Sequence, residues 1–339
     1  MNTKFQNAIQ RKVQNTPPIW FMRQAGRYHS HYQALRKKYS FVELCKIPDI
    51  AAEVAFGPVN DFDFDVAILF SDILFPLEGL GMGLEYTDKG PRLGFQLDAG
   101  NIDQLRSADQ AKETLTFQFD AMRATRARIP SDKSLIGFVG GPWTLFVYAC
   151  EGGHAGSLTK TKSLINIWPA FQEKIKNILT WNIRGQLEAG AEVVMIFDTA
   201  AGEVDSHFFN TYLKPILTSL VTAFPGKVGY YSKGTQKHFF GQDFLDLPWA
   251  GRGVDHRCNL TDEIKSSKKG FLQGNFDQAC LHMPTADYKK HLSAYIANLK
   301  TLSTEERAGW VSGLGHGVLP QTPEAHVRDF VNTIRKEFA

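Results

Sequence analysis

The sequence predicts an α/β fold, a single (β/α)8 TIM barrel with its active-site cleft at the C-terminal face of the strands. Three observations point there. Short apolar runs alternate with longer amphipathic stretches along the 339 residues. The runs are continuously hydrophobic, as in parallel strands buried on both faces. Nearly every run ends in a polar or glycine-rich cluster. The alternation alone admits a barrel or a doubly wound sheet. A barrel brings all the strand ends to one face, whereas a doubly wound sheet brings together only those at its switch point. The repeated polar endings therefore favour the barrel.

The clearest runs are Val66–Phe70, Ser134–Val139, Glu192–Phe197 and Lys227–Tyr231. Weaker ones are Gly251–Val254, Gly270–Gln273 and Gly309–Ser312, and the eighth is placed at Arg92–Phe95. Their polar endings are Ser71-Asp72, Gly140-Gly141-Pro142, Asp198-Thr199, Ser232-Lys233-Gly234, Asp255-His256-Arg257, Gly274-Asn275 and Gly315-His316-Gly317. Between the runs, residues 168–189 form a helical pattern with Phe171, Ile175, Ile178, Leu179 and Leu187 on one stripe, and Gly190 at the C-cap position. Near the end, Thr322-Pro323 reads as an N-cap and first helical residue. Val327, Phe330, Val331 and Ile334 then share a face. No linker divides the chain, so residues 1–339 are expected to be one catalytic domain, with residues 1–16 a polar N-terminal extension or helix.

Composition narrows the function classes. With 43% hydrophobic residues the chain can bury a substantial core, and its 38 basic and 35 acidic residues leave a net charge of +3. That balance gives no reason to expect nucleic acid. No apolar run approaches the roughly 20 residues needed to span a bilayer, and the N-terminus lacks a signal-peptide core. Cys45, Cys150, Cys258 and Cys280 are scattered and form no CxxC pair. They are expected to be reduced thiols in a cytoplasmic protein with no membrane partner.

Some motifs fail on spacing. Gly79-Leu-Gly81-Met-Gly83 and Gly313-Leu-Gly315-His-Gly317 lack the third glycine of a dinucleotide loop, having Tyr86 and Val318 there. His256-Arg-Cys258 with Cys280 has the residue types of a zinc site, but the plainer reading of a strand-end histidine and two buried thiols is preferred.

The chemistry-bearing residues lie elsewhere. Arg23 and Arg27 flank Gln24-Ala25-Gly26. Two guanidiniums so close repel unless an anion lies between them, and arginine grips carboxylates with a two-toothed fork. The alternative is two solvated charges. Asp72 follows a buried strand, where it either faces a ligand or caps the next helix. Tyr148 sits in an apolar stretch bounded by glycines, as a core aromatic or a donor to ligand. His316 lies between glycines that would let backbone approach a ligand closely.

Five segments in order resemble the uroporphyrinogen decarboxylase family. They are Met22-Arg-Gln-Ala-Gly-Arg-Tyr28, Leu69-Phe-Ser-Asp-Ile-Leu74, Gly141-Pro-Trp-Thr-Leu145 with Tyr148 and Glu151-Gly-Gly153, Leu272-Gln-Gly-Asn275, and Leu314-Gly-His-Gly-Val-Leu-Pro320. The resemblance implies a homodimeric barrel that takes uroporphyrinogen III to coproporphyrinogen III with loss of four CO2. It implies no metal and no other cofactor. It makes Asp72, Arg23 and Arg27 catalytic, with Asp72 facing the pyrrole N–H groups. It adds Gln24, Ala25, Gly26, Tyr148, Thr199 and His316 as substrate contacts. The chain departs from the family pattern at Ala200, where a large aromatic is frequent, at His256, where tryptophan is usual, and at Gly313, where asparagine is common. Two other readings remain open at this stage: a zinc-dependent corrinoid methyltransferase on the same barrel, and a tetrapyrrole-binding protein without activity.

Overall fold

A computed structural model describes residues 1–87, 90–154, 156–235 and 239–339. Seven parallel strands form one curled sheet in the order β1 (Val66–Ile68), β4 (Ser134–Gly140), β5 (Val193–Phe197), β6 (Val228–Tyr231), β7 (Gly251–Gly253), β8 (Phe271–Phe276) and β9 (Trp310–Leu314). These are the seven runs expected from the apolar pattern. Burial is continuous along β1, β4, β6, β7, β8 and β9, which is why those strands read as unbroken hydrophobic segments.

The eighth expected strand is a correction. Residues 92 and 93 belong to an antiparallel hairpin, β2 (Leu84–Thr87) with β3 (Gly90–Leu93), outside the main sheet. Gly81 and Gly83 both take positive φ in the turn leading into it. A different segment reaches both edges of the main sheet. The Ile19 N–H donates to Asp65 Oδ2 at 2.9 Å, and the Asp65 N–H returns to the Ile19 carbonyl at 3.0 Å. On the other side Trp20 N–H reaches the Ser312 carbonyl, and Ser312 N–H reaches Pro18. Asp65, buried beside β1, also accepts from Asn2 and Lys4. Asp65→Ala should therefore destabilise the protein by about 3 kcal/mol, because it strands buried donors; urea unfolding measures this.

The helix expected at 168–189 runs Trp168–Glu188, and Gly190 follows with φ +116°. Its buried face carries two polar residues the apolar stripe did not announce, Asn182 and Gln186. Gln186 accepts from the Phe138 N–H and donates to the Phe138 carbonyl, both at 2.9 Å. Gly137 makes this possible, since a Cβ there would lie 2.0 Å from Gln186 Oε1. The network continues through Asn182 and Gln118 to the Ser71 hydroxyl. The C-terminal helix, Glu324–Glu337, starts one residue later than expected. Thr322 bonds the Leu319 carbonyl and faces His282 instead of capping it. The N-terminal residues include the helix Thr3–Ile9, with Phe5 and Ala8 buried.

All four cysteines are free and buried. Among the described residues, no helix is long and apolar enough to cross a membrane.

Candidate active site

The C-terminal ends of the strands place the candidate residues. The loop 21–29 is pinned from below by Gln24. Its amide accepts from the Phe21 N–H and donates to the Val66 carbonyl, while the Tyr28 hydroxyl donates to the Gln24 carbonyl. Gln24 is fully enclosed, so its side chain holds the loop and is not offered to a ligand. The residues above it are. Arg23 and Arg27 are exposed, and Ala25 and Gly26 are half-buried. Among the described residues, no protein acceptor meets the N–H groups of Ala25, Gly26 and Arg27. Consecutive free N–H groups between two guanidiniums suit a carboxylate. Arg23 adopts φ +57°, a left-handed conformation that costs a non-glycine residue about 1 kcal/mol or more. Its stem crosses Gly317, where a Cβ would fall 2.6 Å from Arg23 Cδ. The Val318 N–H bonds the Met22 carbonyl at 2.9 Å, tying the arginine loop to the histidine loop.

Asp72 follows β1 in the segment that the Ser71–Gln118–Asn182 network anchors. One oxygen accepts the Leu74 N–H at 2.8 Å, so the capping role is present. Asp72 is half-buried as a residue, with its carboxyl enclosed by protein. Burial raises its pKa, and the Leu74 N–H, Tyr86 and Arg23 oppose that rise. The Tyr86 hydroxyl approaches Asp72 without reaching good hydrogen-bond geometry. Asn182→Ala should loosen the segment that carries Asp72. It leaves Gln118 and Gln186 underbonded, costing about 2 kcal/mol, and should also lower turnover; calorimetry and kinetics read the two effects.

Tyr148 sits on the helix Pro142–Glu151, and burial and Asp72 raise its pKa. His316 follows β9. Burial first, then the Arg23 and Lys233 cations, push it down to about 4, so it is neutral at pH 7. Arg23, Asp72, Tyr148 and His316 are thus one electrostatic group, with Arg23 acting on each of the other three. Arg27 acts on Tyr32, which is buried with Leu44 and Val54. Thr199 opens the turn after β5 half-buried, and among the described residues no hydrogen bond ties its side chain to the other four.

Three contributors escaped the sequence reading. Lys233, after β6, supplies a second cation that lowers the His316 pKa. Asp198, wholly buried, accepts from the Thr144 N–H and hydroxyl at 2.8 and 2.7 Å, and so holds the start of the helix carrying Tyr148. Burial pushes it up to about 6. Gly141 lets Asp198 in, since a Cβ there would lie 2.2 Å from its carboxyl carbon. Tyr231, at the end of β6, donates to the Gly315 carbonyl at 2.8 Å and lies 3.0 Å from His316 Nδ1. Only the strand-end location of these residues signalled them.

The departures also have places. Ala200 is buried and its N–H donates to the Thr144 hydroxyl. His256 lies beside Gly315 and 4.0 Å from Asp277. Gly313 leaves room for Gln273, whose Nε2 would sit 2.3 Å from any Cβ at 313. Cys258 and Cys280 line an open pocket with His256 and His291. Among the described residues, no three His, Cys, Asp or Glu side chains converge as metal ligands would. Burial raises both thiols, Cys258 up to about 12.

Fold and site together define an α/β protein whose strand ends gather a loop bearing two arginines and a half-buried carboxylate. The sequence profile of uroporphyrinogen decarboxylase (URO-D) matches residues 1–337, and the chain belongs to that family. The uroporphyrinogen decarboxylase of Chloroherpeton thalassium is 35% identical, over 99% of this chain and 97% of that one. That of Chloroflexus aurantiacus is 34% identical, over 99% and 96%. A methyltransferase from Methanosarcina mazei shares the fold at 16% identity, with a TM-score of 0.78 over 99% of this chain and 98% of that one.

Proposed function

We propose that this cleft removes the four acetate carboxyl groups of uroporphyrinogen III as CO2, giving coproporphyrinogen III, as a carboxy-lyase without metal or prosthetic group. The observation that carries this reading is the docking of the arginine loop on the histidine loop, where the Arg23 stem crosses Gly317 beside His316 while its cation acts on Asp72. The substrate brings several carboxylates and four pyrrole N–H groups, and the site offers guanidiniums and one carboxylate.

The chemistry follows from the substrate. Protonation of a pyrrole α-carbon makes an iminium-like cation. The neighbouring acetate loses CO2, and the bond's electron pair flows into that cation. The exocyclic methylene so formed takes a proton and becomes a methyl group, and the α-carbon gives up the proton it first received, which restores the aromatic pyrrole. The pyrrole is thus its own electron sink. Asp72, poised in a water-poor site, stabilises the transient positive charge. Arg23 and Arg27, with the free N–H groups of Ala25 and Gly26, anchor carboxylates and set which acetate meets Asp72. Tyr148, Thr199 and neutral His316 complete the contacts.

The same reading takes the chain as one domain, with residues 18–20 as an eighth strand closing the barrel between β1 and β9. Their hydrogen bonds to Asp65 and Ser312 support it. It extends to a cytoplasmic homodimer, which light scattering on the purified protein tests. The decisive assay supplies reduced uroporphyrinogen III in the presence of a chelator. Chromatographic appearance of coproporphyrinogen is the expected result. Binding without product would leave a silent tetrapyrrole binder.

A further inference from the structure

Tyr231 and His316 meet across the site from β6 and the loop after β9. Their rings are nearly parallel, with an interplanar angle of 11° and centroids 5.9 Å apart. The phenol oxygen lies 2.8 Å from the Gly315 carbonyl and 3.0 Å from His316 Nδ1. A phenol has one proton to share between them. A carbonyl can only accept, and Gly315 is buried with no other donor to its oxygen among the described residues. Sending the proton to Nδ1 would leave two bare oxygens facing each other at 2.8 Å and would strand a buried acceptor, at about 1–3 kcal/mol. The proton therefore goes to Gly315, and the phenol oxygen is left to accept from Nδ1–H. In a neutral imidazole only one nitrogen carries hydrogen, so Nε2 must be bare. Among the described residues, Nε2 has no protein partner, and His316 keeps exposed surface.

We propose that Tyr231 is a positioning residue that fixes neutral His316 as its Nδ1–H tautomer, presenting Nε2 as a hydrogen-bond acceptor to the substrate. This rests on the decarboxylase reading for the identity of the substrate. The matching donor is a protonated carboxyl or a pyrrole N–H of the tetrapyrrole. In this tautomer His316 does not deliver the proton that starts decarboxylation.

Imidazole 15N–1H NMR of the full-length protein reads the tautomer directly, with the His316 signal assigned by its loss in His316→Gln. The wild type should show a protonated Nδ1 and a bare Nε2 at neutral pH. Tyr231→Phe should shift the population toward Nε2–H, the form favoured by free imidazole. For reduced uroporphyrinogen III the same variant should raise KM about tenfold, the factor for one hydrogen bond, with a smaller fall in kcat. His316→Gln, which can place a carbonyl where Nε2 was, should retain more affinity than His316→Asn. A variant that merely lost stability would leave the tautomer unmoved. Nε2–H in the wild type would overturn the proposal, as would a Tyr231→Phe protein with unchanged tautomer or unchanged KM. Absence of turnover by the wild type would instead sink the decarboxylase reading, and the NMR result would stand apart from it.

Discussion

Asp72→Asn should fold normally and lose about 10²- to 10³-fold in kcat. Asparagine keeps an oxygen for the Leu74 N–H, the bond that shapes the turn after β1. What it removes is the negative charge. Preorganised charge directed at a developing cation is worth roughly 3–4 kcal/mol when water is excluded, by analogy with the loss of one oxyanion donor. The loss should appear in kcat more than in KM, because the full positive charge on the pyrrole exists only near the transition state. Circular dichroism and thermal unfolding control for folding. Wild-type kcat in the variant would mean that Asp72 acts as a cap and nothing more.

Arg23→Ala should be the more damaging of the two arginine truncations, costing about 10²-fold or more in kcat/KM. That factor corresponds to the loss of a charge-assisted pair of hydrogen bonds, about 3 kcal/mol. Arg27→Ala should raise KM by less, because Arg27 acts on Tyr32 outside the group formed by Asp72, Tyr148 and His316. Arg23→Lys should recover only part of the loss, since an ammonium cannot reproduce the planar fork. Equal effects from Arg23→Ala and Arg27→Ala would show that the central position of Arg23 has no kinetic meaning.

The legibility of this molecule varied with the physics of each element. Strands β1 and β4 to β9 stood out because burial on both faces demands unbroken apolar runs, and their polar ends marked one face. The segment at 18–20 did not stand out. Two prolines precede Ile19, and only three residues bond to the sheet edges, too few to show a period. Arg92–Phe95 was misplaced because a short apolar stretch reads alike in a surface hairpin and in a barrel strand. Asn182 and Gln186 were invisible for another reason. Their burial depends on Gln118, Gly137 and Ser71, which are distant in sequence. In the site, Asp72 and His316 were legible as strand-end residues, Arg23 from its pairing with Arg27, and Tyr148 from its glycine-bounded apolar stretch; the Arg23 charge acts on the other three. Gln24 was named as a contact, and its type was right for hydrogen bonding, yet its partners are Phe21 and Val66 of the protein itself. Tyr231 passed as an ordinary strand aromatic, because only the fold reveals that its hydroxyl meets the histidine loop.

The coupling of Arg23 to Asp72 can be measured without a structure of the complex. Burial raises Asp72 from its ordinary value, and the Arg23 cation opposes that rise. A raised pKa means that the carboxylate is lost as pH falls through that higher value, so activity should fall on the acid side above the roughly 3.9 of an unperturbed aspartate. The measurement is kcat/KM against pH for wild type and Arg23→Ala on the same reduced uroporphyrinogen III, so that substrate ionisation cancels in the comparison. Removal of the guanidinium should move the acid limb to higher pH. An acid limb at the same pH in both proteins would contradict the claim that Arg23 and Asp72 share one site.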